Sequence, residues 1–267
     1  MRIAFVSDIH GNLHALEAVA HDLLRRDVTV VVNLGDTLSG PLLPLETARF
    51  LMQKPWLHVG GNHERQVLTQ PLERQIPSDA YTSAQLDADA RRWLRSHADP
   101  TDPRLQQGTM WPAQLGPDVA LCHGSPRLDH EYLLETAVGE EARLALPHEV
   151  EERLGSLIGP GIRLLACGHT HVPRVVHTRS GLTILNPGSV GLQAYDDDHP
   201  LPHSVYHRIE TGSPDARYAV AEKRPDGRWV CELIAVPYDH EAAAALAEQR
   251  ERPDWAHALR TGYMPRT

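Results

Sequence analysis

Cysteine, positive charge and long apolar runs are all scarce in this chain of 267 residues. Its three cysteines are odd in number and far apart, which argues against a disulfide framework. With 26 lysines and arginines against 35 acidic residues, the formal net charge of -9 argues against broad binding to nucleic acid or anionic membranes. No apolar run is long enough to cross a bilayer, and a predicted strand that begins at Arg2 leaves no room for a signal peptide. The sequence therefore favours a cytoplasmic protein.

Apolar residues near the start of the chain predict a strand, a helix and a second strand. Residues 2–7 and 28–33 are short β-type runs, and residues 13–26 place apolar side chains at helical intervals between them. Such a βαβ unit joins two parallel strands by a right-handed crossover. Residues 44–53 predict a second helix and residues 56–59 a third strand.

The later sequence predicts an inserted segment, further strands and a helical tail. Residues 65–117 are polar and punctuated by proline, with one helix predicted near residues 83–96, and we interpret them as a helical insertion and a candidate cap for the pocket. The remaining predicted elements are strands at 118–122 and 162–167, a helix at 149–157, antiparallel strands at 174–178, 183–185, 217–223 and 229–236, and a helix at 241–250. No repeat or linker marks a boundary, so we expect one α/β domain over residues 1–267 with a helical tail at 237–267.

Residues of the types that bind metals follow each of the early predicted strands. These candidates are Asp8, His10, Asp36, Asn62, His63, His123, His169 and His171. In an α/β sheet the carboxyl ends of the strands form the crevice where ligands bind, so the candidates should converge on one place.

The candidate ligands combine aspartate oxygen with histidine nitrogen. This mixture suits two divalent metal ions such as manganese, iron or zinc better than calcium, which prefers oxygen throughout. Two ions are expected because the number of ligands exceeds what a single site uses. Two divalent ions, two aspartates and one bridging hydroxide sum to about +1, so the site would attract a phosphate although the whole chain is acidic.

Five short motifs occur in an order that resembles the calcineurin-like metallophosphoesterase superfamily. They are Asp8-Ile-His10, Gly35-Asp36, Gly61-Asn62-His63-Glu64, His123-Gly124 and Gly168-His169-Thr170-His171. The segments at residues 123–127 and 186–191 are similar to those of the small prokaryotic phosphodiesterase branch of YfcE-like proteins. The resemblance implies a four-layer αββα sandwich of two mixed β-sheets flanked by helices.

The resemblance also implies a role for each motif residue. It places Asp8, His10 and His171 on a first metal ion, Asn62, His123 and His169 on a second, and Asp36 between both. His63 would be the catalytic residue that assists the leaving group, while a hydroxide bridging the two metal ions attacks phosphorus. Manganese is the ion we expect to support activity in vitro.

The departures from the superfamily's patterns bear on the substrate. Protein serine/threonine phosphatases of this superfamily carry an Asp-Arg pair and a further arginine where this chain has Ser39, Gly40 and Gly60. Their absence weakens a protein phosphatase interpretation and leaves His63 without that family's orienting aspartate. A small-molecule phosphate ester, either a phosphodiester or a nucleotide, is the preferred substrate. A dinucleoside polyphosphate hydrolase and a non-catalytic scaffold of the same fold are the alternatives, and homo-oligomer formation stays open.

Several further residues have two interpretations. Asn12 either contacts substrate or caps the helix that starts at Leu13. Arg127 and Arg65 either bind phosphate or form structural ion pairs. The acidic and histidine-rich residues between 196 and 207 superficially resemble a second metal site, but we interpret them as a solvated loop. Cys122 and Cys167 are expected to be small core residues rather than nucleophiles.

Overall fold

The computed structural model describes residues 1–99, 113–197 and 206–266. Within these ranges the α-helices are Leu13–Leu23 (α1), Pro44–Leu51 (α2), Asn62–Thr69 (α3), Pro77–Gln85 (α4), Ala88–Arg95 (α5), Pro147–Leu154 (α6), His240–Gln249 (α7) and Pro253–Thr261 (α8), and a 3₁₀ helix spans Leu72–Arg74. The strands are Arg2–Val6 (β1), Val30–Asn33 (β2), Leu57–His58 (β3), Ala113–Gln114 (β4), Val119–Leu121 (β5), Glu135–Val138 (β6), Glu141–Leu144 (β7), Leu164–Ala166 (β8), Arg174–His177 (β9), Thr183–Asn186 (β10), Ala194–Asp197 (β11), His207–Glu210 (β12), Ala216–Lys223 (β13) and Trp229–Val236 (β14). None of the described helices is long and apolar enough to cross a bilayer.

The first sheet has the strand order β14-β13-β1-β2-β3 and contains the βαβ unit expected from the sequence. β1 runs parallel to β2, with Ile3 opposite Val30 and Phe5 opposite Val32, and β2 runs parallel to β3. β13 pairs antiparallel with both β1 and β14, and Gly227 at φ 83° lies in the turn that joins β13 to β14. The parallel strands therefore end at the same edge, next to Asp8 and Asp36.

The second sheet has the order β4-β5-β8-β10-β9 and supplies the other half of the site. β5, β8 and β10 are parallel to one another, whereas β9 and β4 pair antiparallel at the two edges. The predicted antiparallel pairing of residues 174–178 with 183–185 is confirmed. Because β5 and β8 are parallel neighbours, the residues that follow them, His123 and His169, leave the sheet on the same side.

Apolar side chains of both sheets share one core. Ile3 and Phe5 of the first sheet belong to the same buried cluster as Leu121 and Leu164 of the second. Helix α1 packs Leu16 and neighbouring residues against the first sheet, and α6 packs Val150 and Leu154 against the second. Each fully buried aliphatic or aromatic side chain contributes about 1.5 to 3 kcal/mol. The predicted α/β class with mixed sheets is confirmed, and the four-layer count stays a prediction.

A third sheet, with the order β11-β12-β7-β6, was not predicted. Its strand β7 has the sequence Glu-Ala-Arg-Leu and is mostly exposed, so it lacks the alternation that marks a half-buried strand. Asp196 and Asp197 lie in β11, and His207 is buried in β12, so the prediction of a solvated loop is wrong for these residues. The rest of that predicted loop, residues 198–205, lies outside the described part of the chain.

The described residues of the predicted insertion and the predicted tail contain more helices than the sequence suggested. The helix predicted near residues 83–96 is confirmed as α5 but begins later than predicted. Leu86 and Asp87 separate it from α4, and the Asp87 carboxylate caps α5 by accepting a hydrogen bond from Ala90 N at 2.8 Å. Helices α3 and α8 were not predicted. In the tail, α7 and α8 pack alanines and Leu259 against Leu192 and Ala194. Residues 100–112 of the predicted insertion lie outside the described ranges.

Candidate metal centre

The seven predicted metal ligands lie at the carboxyl ends of parallel strands or at the start of α3. The loops that carry them are joined by backbone hydrogen bonds: Asp8 N donates to Gly35 O at 2.9 Å, and His10 N donates to Asp36 O at 3.0 Å. In two groups, the side chains lie close enough together to bind an ion. Within each group the ligand atoms lie within 4.8 Å of one another, and the groups are Asp8 with His10 and His171, and Asp36 with His123 and His169. The first group has the residues that the resemblance implies for one ion, and the second joins Asp36 to two of the three residues implied for the other.

Three of the imidazole rings are oriented by backbone carbonyl groups behind them. His10 Nδ1 lies 2.6 Å from Ser39 O, His171 Nδ1 lies 2.7 Å from Leu192 O, and His123 Nδ1 lies 2.9 Å from Leu34 O. A carbonyl oxygen only accepts, so each Nδ1 carries the proton and donates it. The Nε2 atom of each ring then faces the centre, where it would supply a lone pair on binding a metal ion, which is the arrangement of metal-binding histidines.

These Nε2 atoms face other acceptors at short range. His10 Nε2 lies 3.1 Å from His171 Nε2, and His123 Nε2 lies 3.0 Å from Asp36 Oδ2. Such distances are favourable when a positive charge, either a proton or a metal ion, lies between the two atoms. The carboxylate oxygen Asp8 Oδ1 and the buried amide oxygen Asn62 Oδ1 make no hydrogen bond with the described residues. The donor set therefore fits divalent cations.

The pKa values of the histidines reflect the same electrostatics. Burial lowers the pKa of His10 to about 3 and that of His169 to about 4, and neighbouring histidines lower both further, so these rings are neutral and ready to bind metal. Burial also lowers the pKa of His123, but the adjacent Asp36 carboxylate outweighs it and raises the pKa to about 10. The field of the buried carboxylates thus draws positive charge into the gap between His123 and Asp36.

The backbone of five ligand residues is left-handed. The φ angles are 53° at Asp8, 52° at His10, 52° at Asp36, 69° at His169 and 57° at His171. Residues with side chains rarely adopt this region, and each instance costs about 1 to 3 kcal/mol. Such conformations persist where surrounding contacts hold them, and they concentrate at functional sites. Five of the seven described non-glycine residues with positive φ therefore lie at the strand ends that aim candidate ligands at the centre, and the other two are Asp27 and Glu251.

A buried glutamate holds two of these strand ends together. The carboxylate of Glu64 accepts hydrogen bonds from Asp36 N at 2.8 Å, Thr37 N at 2.7 Å and Gly61 N at 2.7 Å. Gly61 is required here, because a Cβ atom at this position would lie 2.3 Å from Asp36 Oδ1. Glu64 was not predicted as a site residue, and it acts by fixing the backbone around Asp36.

A cavity of about 670 Å³ opens onto the centre. Among the predicted ligands, His10, Asp36, Asn62, His169 and His171 line it, together with His63. A site of this kind places metal-binding atoms at one end of a space large enough for an organic ligand.

Comparison with known proteins identifies the family. The model of the calcineurin-like phosphoesterase superfamily domain matches residues 1–211. The chain belongs to this superfamily. The resemblance inferred from the motifs is thereby confirmed, and the two groups of candidate ligands lie within the matched part of this phosphoesterase domain.

Relatives of this phosphoesterase domain cover nearly the whole chain. A metallophosphoesterase from Sphaerobacter thermophilus is 26% identical, with a TM-score of 0.67, over 97% of this chain and 98% of that one. The hypothetical protein PH1004 from Pyrococcus horikoshii OT3 is 16% identical, also with a TM-score of 0.67, over 99% of both chains. The uncharacterized protein MJ0912 of Methanocaldococcus jannaschii is 23% identical over 95% of this chain and 94% of its own length. The similarity therefore extends beyond the motifs into the C-terminal tail.

His63 of this phosphoesterase domain has an aspartate partner that the sequence did not suggest. His63 Nδ1 donates to Asp79 Oδ1 at 2.9 Å, and Asp79 lies buried in the first turn of α4. The aspartate of the protein phosphatase motif is absent, as the sequence indicated, and Asp79 from a different part of the chain contacts the ring instead. His63 Nε2 points towards the centre and lies 3.9 Å from Asp36 Oδ2. Burial lowers the pKa of His63, but the carboxylates of Asp79 and Asp36 outweigh it and raise the pKa to about 10.

The two predicted substrate contacts lie outside the cavity. Asn12 caps α1 by accepting from Ala15 N at 3.1 Å, and its amide donates to Gly191 O and to the Tyr238 hydroxyl. Arg127 forms an ion pair with Glu131. Neither residue lines the cavity.

Arg65, which lies in α3 and lines the cavity, is held in an ion pair. Arg65 binds both oxygens of Asp129, with Nε 2.5 Å and Nη2 2.9 Å from them. The structural alternative considered for Arg65 is thus observed. Cys122 and Cys167 are buried core residues, as predicted, and burial raises the pKa of both thiols.

Proposed function

We propose that this chain is a metal-dependent phosphoesterase that hydrolyses phosphodiester or nucleotide-type substrates. The observation that supports this most directly is the pair of ligand groups whose lone pairs face each other at one end of the cavity, beside His63. Two divalent ions bound by these groups would make water a nucleophile at neutral pH and polarise the phosphate oxygens. Manganese is the ion we propose for assays in vitro.

The protein side chains supply binding and proton transfer. Asp8 and Asp36 carry the negative charge of the centre, and the imidazoles, which are neutral when they bind metal, would add donor atoms without adding charge. His63 Nε2 faces the centre and is the atom that would donate a proton to the departing oxygen. Asp79 holds the opposite ring nitrogen, so that the ring is oriented before the substrate binds.

Turnover of bis-p-nitrophenyl phosphate with manganese tests this proposal. The parent chain should release p-nitrophenol, and addition of a chelator should abolish the release. For a diester with a poor, alkyl leaving group, His63→Ala should lower kcat by about 100-fold or more, since general acid catalysis contributes about that factor where the departing oxygen needs a proton. Its bound manganese, measured by elemental analysis, should be unchanged.

His21→Ala, which removes an exposed histidine from α1, is the matched control and should behave as the parent. Equal turnover of the alkyl diester by the parent and His63→Ala would remove His63 from the mechanism. A parent that binds no metal and hydrolyses no phosphate ester would instead favour a scaffold of the same fold.

A further inference from the structure

The cavity at the metal centre is far larger than a phosphate group, and part of its lining is apolar. Its volume of about 670 Å³ is in the range of pockets that enclose whole small molecules. The apolar side chains come from three distant parts of the chain and form what we call the apolar wall: Ile76, Leu192, Ala194, Trp255, Ala258 and Met264. An apolar surface of this kind beside a polar reaction centre favours an organic group over water.

The apolar wall is attached to the group proposed to protonate the leaving oxygen. Ile76 directly precedes α4, whose first turn contains both Ser78 and Asp79. Ser78 Oγ accepts a hydrogen bond from Arg252 Nη1 at 3.1 Å, which ties α4 to the start of α8, and Asp79 holds His63. The inserted helix therefore fixes the wall and the proton donor relative to each other.

Trp255 places part of the apolar wall next to His10, one of the candidate metal ligands. Its ring centroid lies 5.9 Å from that of His10, in a nearly perpendicular orientation. The indole packs against Gly40, where a Cβ atom would lie 2.9 Å from a ring carbon. Since no side chain intervenes at Gly40, the indole can approach the loop that carries Ser39, whose carbonyl orients His10.

Most of the arginines in the cavity are neutralised by carboxylates. Arg65 is paired with Asp129, and Arg252 is paired with Asp254 at 2.6 Å. Asp196 and Asp197 add negative charge to the lining, and Arg74 is the one lining arginine that makes no ion pair with the described residues. The cavity therefore offers little positive charge beyond the metal centre, which disfavours a chain of several phosphates.

Ile76 presents apolar surface to the cavity that the fold itself leaves uncovered. Its side chain is 49% exposed although it lines the cavity. We infer that the apolar wall binds the organic group of the substrate, and that this substrate is a phosphodiester with an aromatic or similarly bulky apolar substituent. The inference rests on the proposed phosphoesterase function and assigns a recognition role to α4 and α8.

Binding of phenylphosphonate and methylphosphonate to the manganese-loaded protein tests the inference. The two ligands carry the same phosphonate group, and their carbon to phosphorus bond is not an ester, so hydrolysis does not interfere. Calorimetry should give a dissociation constant at least tenfold lower for phenylphosphonate, since burying a ring is worth about that factor. Competitive inhibition of bis-p-nitrophenyl phosphate turnover should give the same ratio.

A matched pair of substitutions locates the effect. The parent should bind phenylphosphonate about tenfold more tightly than methylphosphonate. Ile76→Ser should reduce this ratio of dissociation constants to about threefold or less. Leu72→Ser replaces an aliphatic residue that is 58% exposed, lies four positions earlier and does not line the cavity, and it should keep the parent's preference.

The outcomes separate this inference from the proposed function. Equal affinity of the parent for both phosphonates, or equal loss of preference in the two variants, would overturn the binding role assigned to the apolar wall. Neither result would affect the proposed diester hydrolysis, which is measured separately. Turnover of diadenosine tetraphosphate with a kcat/KM above that for the diester would also overturn it. A parent without any metal-dependent esterase activity would overturn the proposed function itself.

Discussion

Asp79 and His63 lie 16 positions apart in the sequence, yet their side chains share a hydrogen bond of 2.9 Å next to the metal centre. The Asp79 carboxylate places negative charge beside Nδ1 of the imidazole, while Nε2 faces the cavity. In the proposed mechanism this arrangement would orient the proton donor through a group that does not touch the substrate, which makes Asp79 a candidate positioning residue.

Asp79→Asn tests that role, because asparagine keeps the shape and an accepting oxygen but loses the charge. We expect kcat to fall by about 10- to 100-fold for diesters with poor, alkyl leaving groups. The fall should be much smaller for p-nitrophenyl esters, whose leaving group needs little protonation. Steady-state kinetics on both substrate types measures the difference.

The leaving-group dependence distinguishes positioning from a structural defect, which would lower both rates alike. Asp89→Asn is the control, since Asp89 is exposed on the neighbouring helix α5 and pairs with Arg92. Should Asp79→Asn slow both substrate types equally, the role assigned to Asp79 would be wrong.

The sequence predicted the metal ligands because each follows a strand, whereas nothing in it indicated Asp79. An acidic residue in the first turn of a helix ordinarily interacts favourably with the helix dipole, and Asp79 occupies such a position in α4. Its contact with His63 arises from the way α4 packs against α3. Only the tertiary structure makes that contact visible.

Among the elements, those with clear apolar periodicity were predicted and those with little were missed. β1 and β2 are nearly continuous apolar runs, and both were found. Helix α3 is polar, with Val67 as its one buried aliphatic side chain, and β7 is mostly exposed, so neither has a recognisable period. Helix α8 did carry usable signals, namely Pro253 in its first turn and Gly262 after its end.

Two histidines on β3 and after α5 are packed in their neutral forms. The rings of His58 and His97 lie 5.0 Å apart, and both contact Trp93. His58 Nδ1 accepts a hydrogen bond from the Asn33 amide at 3.2 Å, which requires an unprotonated nitrogen. Burial lowers the pKa of His58 to about 4 and that of His97 to about 3, the latter helped by His58.

This pair should make the fold less stable in mild acid. The unfolded chain binds protons at these histidines below a pH of about 6.5, whereas the folded chain does so only near pH 4 and below. The free energy of unfolding should therefore be highest above pH 6.5 and decrease as the pH falls from 6.5 towards 4, by about 1 to 2 kcal/mol after allowance for partial exposure. Urea unfolding of metal-free protein at several pH values measures it.

His97→Phe preserves the ring contacts and should flatten this pH dependence. His148→Gln, which replaces an exposed histidine on α6, should retain the slope of the parent. A His97→Phe protein with an unaltered slope would show that other groups govern the acid sensitivity.

Across the whole molecule, an acidic chain with a net charge of -9 concentrates buried carboxylates at one point. Asp8, Asp36 and Glu64 are all buried around the centre. Ions that bind the folded state alone stabilise it by mass action, by about 2.7 kcal/mol at 100 times the dissociation constant. Stability and metal loading should therefore rise together.

Scanning fluorimetry after chelation tests this coupling. Adding manganese should raise Tm by about 5 to 10 °C, given the usual relation between free energy and Tm for a chain of this size. Calcium should raise Tm less, because histidine nitrogens suit it poorly. Asp36→Asn should abolish most of the rise in Tm that manganese causes. A parent whose Tm does not change on adding manganese would contradict the presence of an ion site.

The left-handed backbone at Asp8, His10, Asp36, His169 and His171 has a practical consequence for protein engineering. Glycine adopts that conformation without the penalty, so a library screened only for heat resistance in a chelating buffer would enrich glycine at these positions. The variants selected in such a screen would be more resistant to heat but would have lost metal-binding side chains. Laboratory evolution of this chain therefore has to select for ion loading and robustness at the same time.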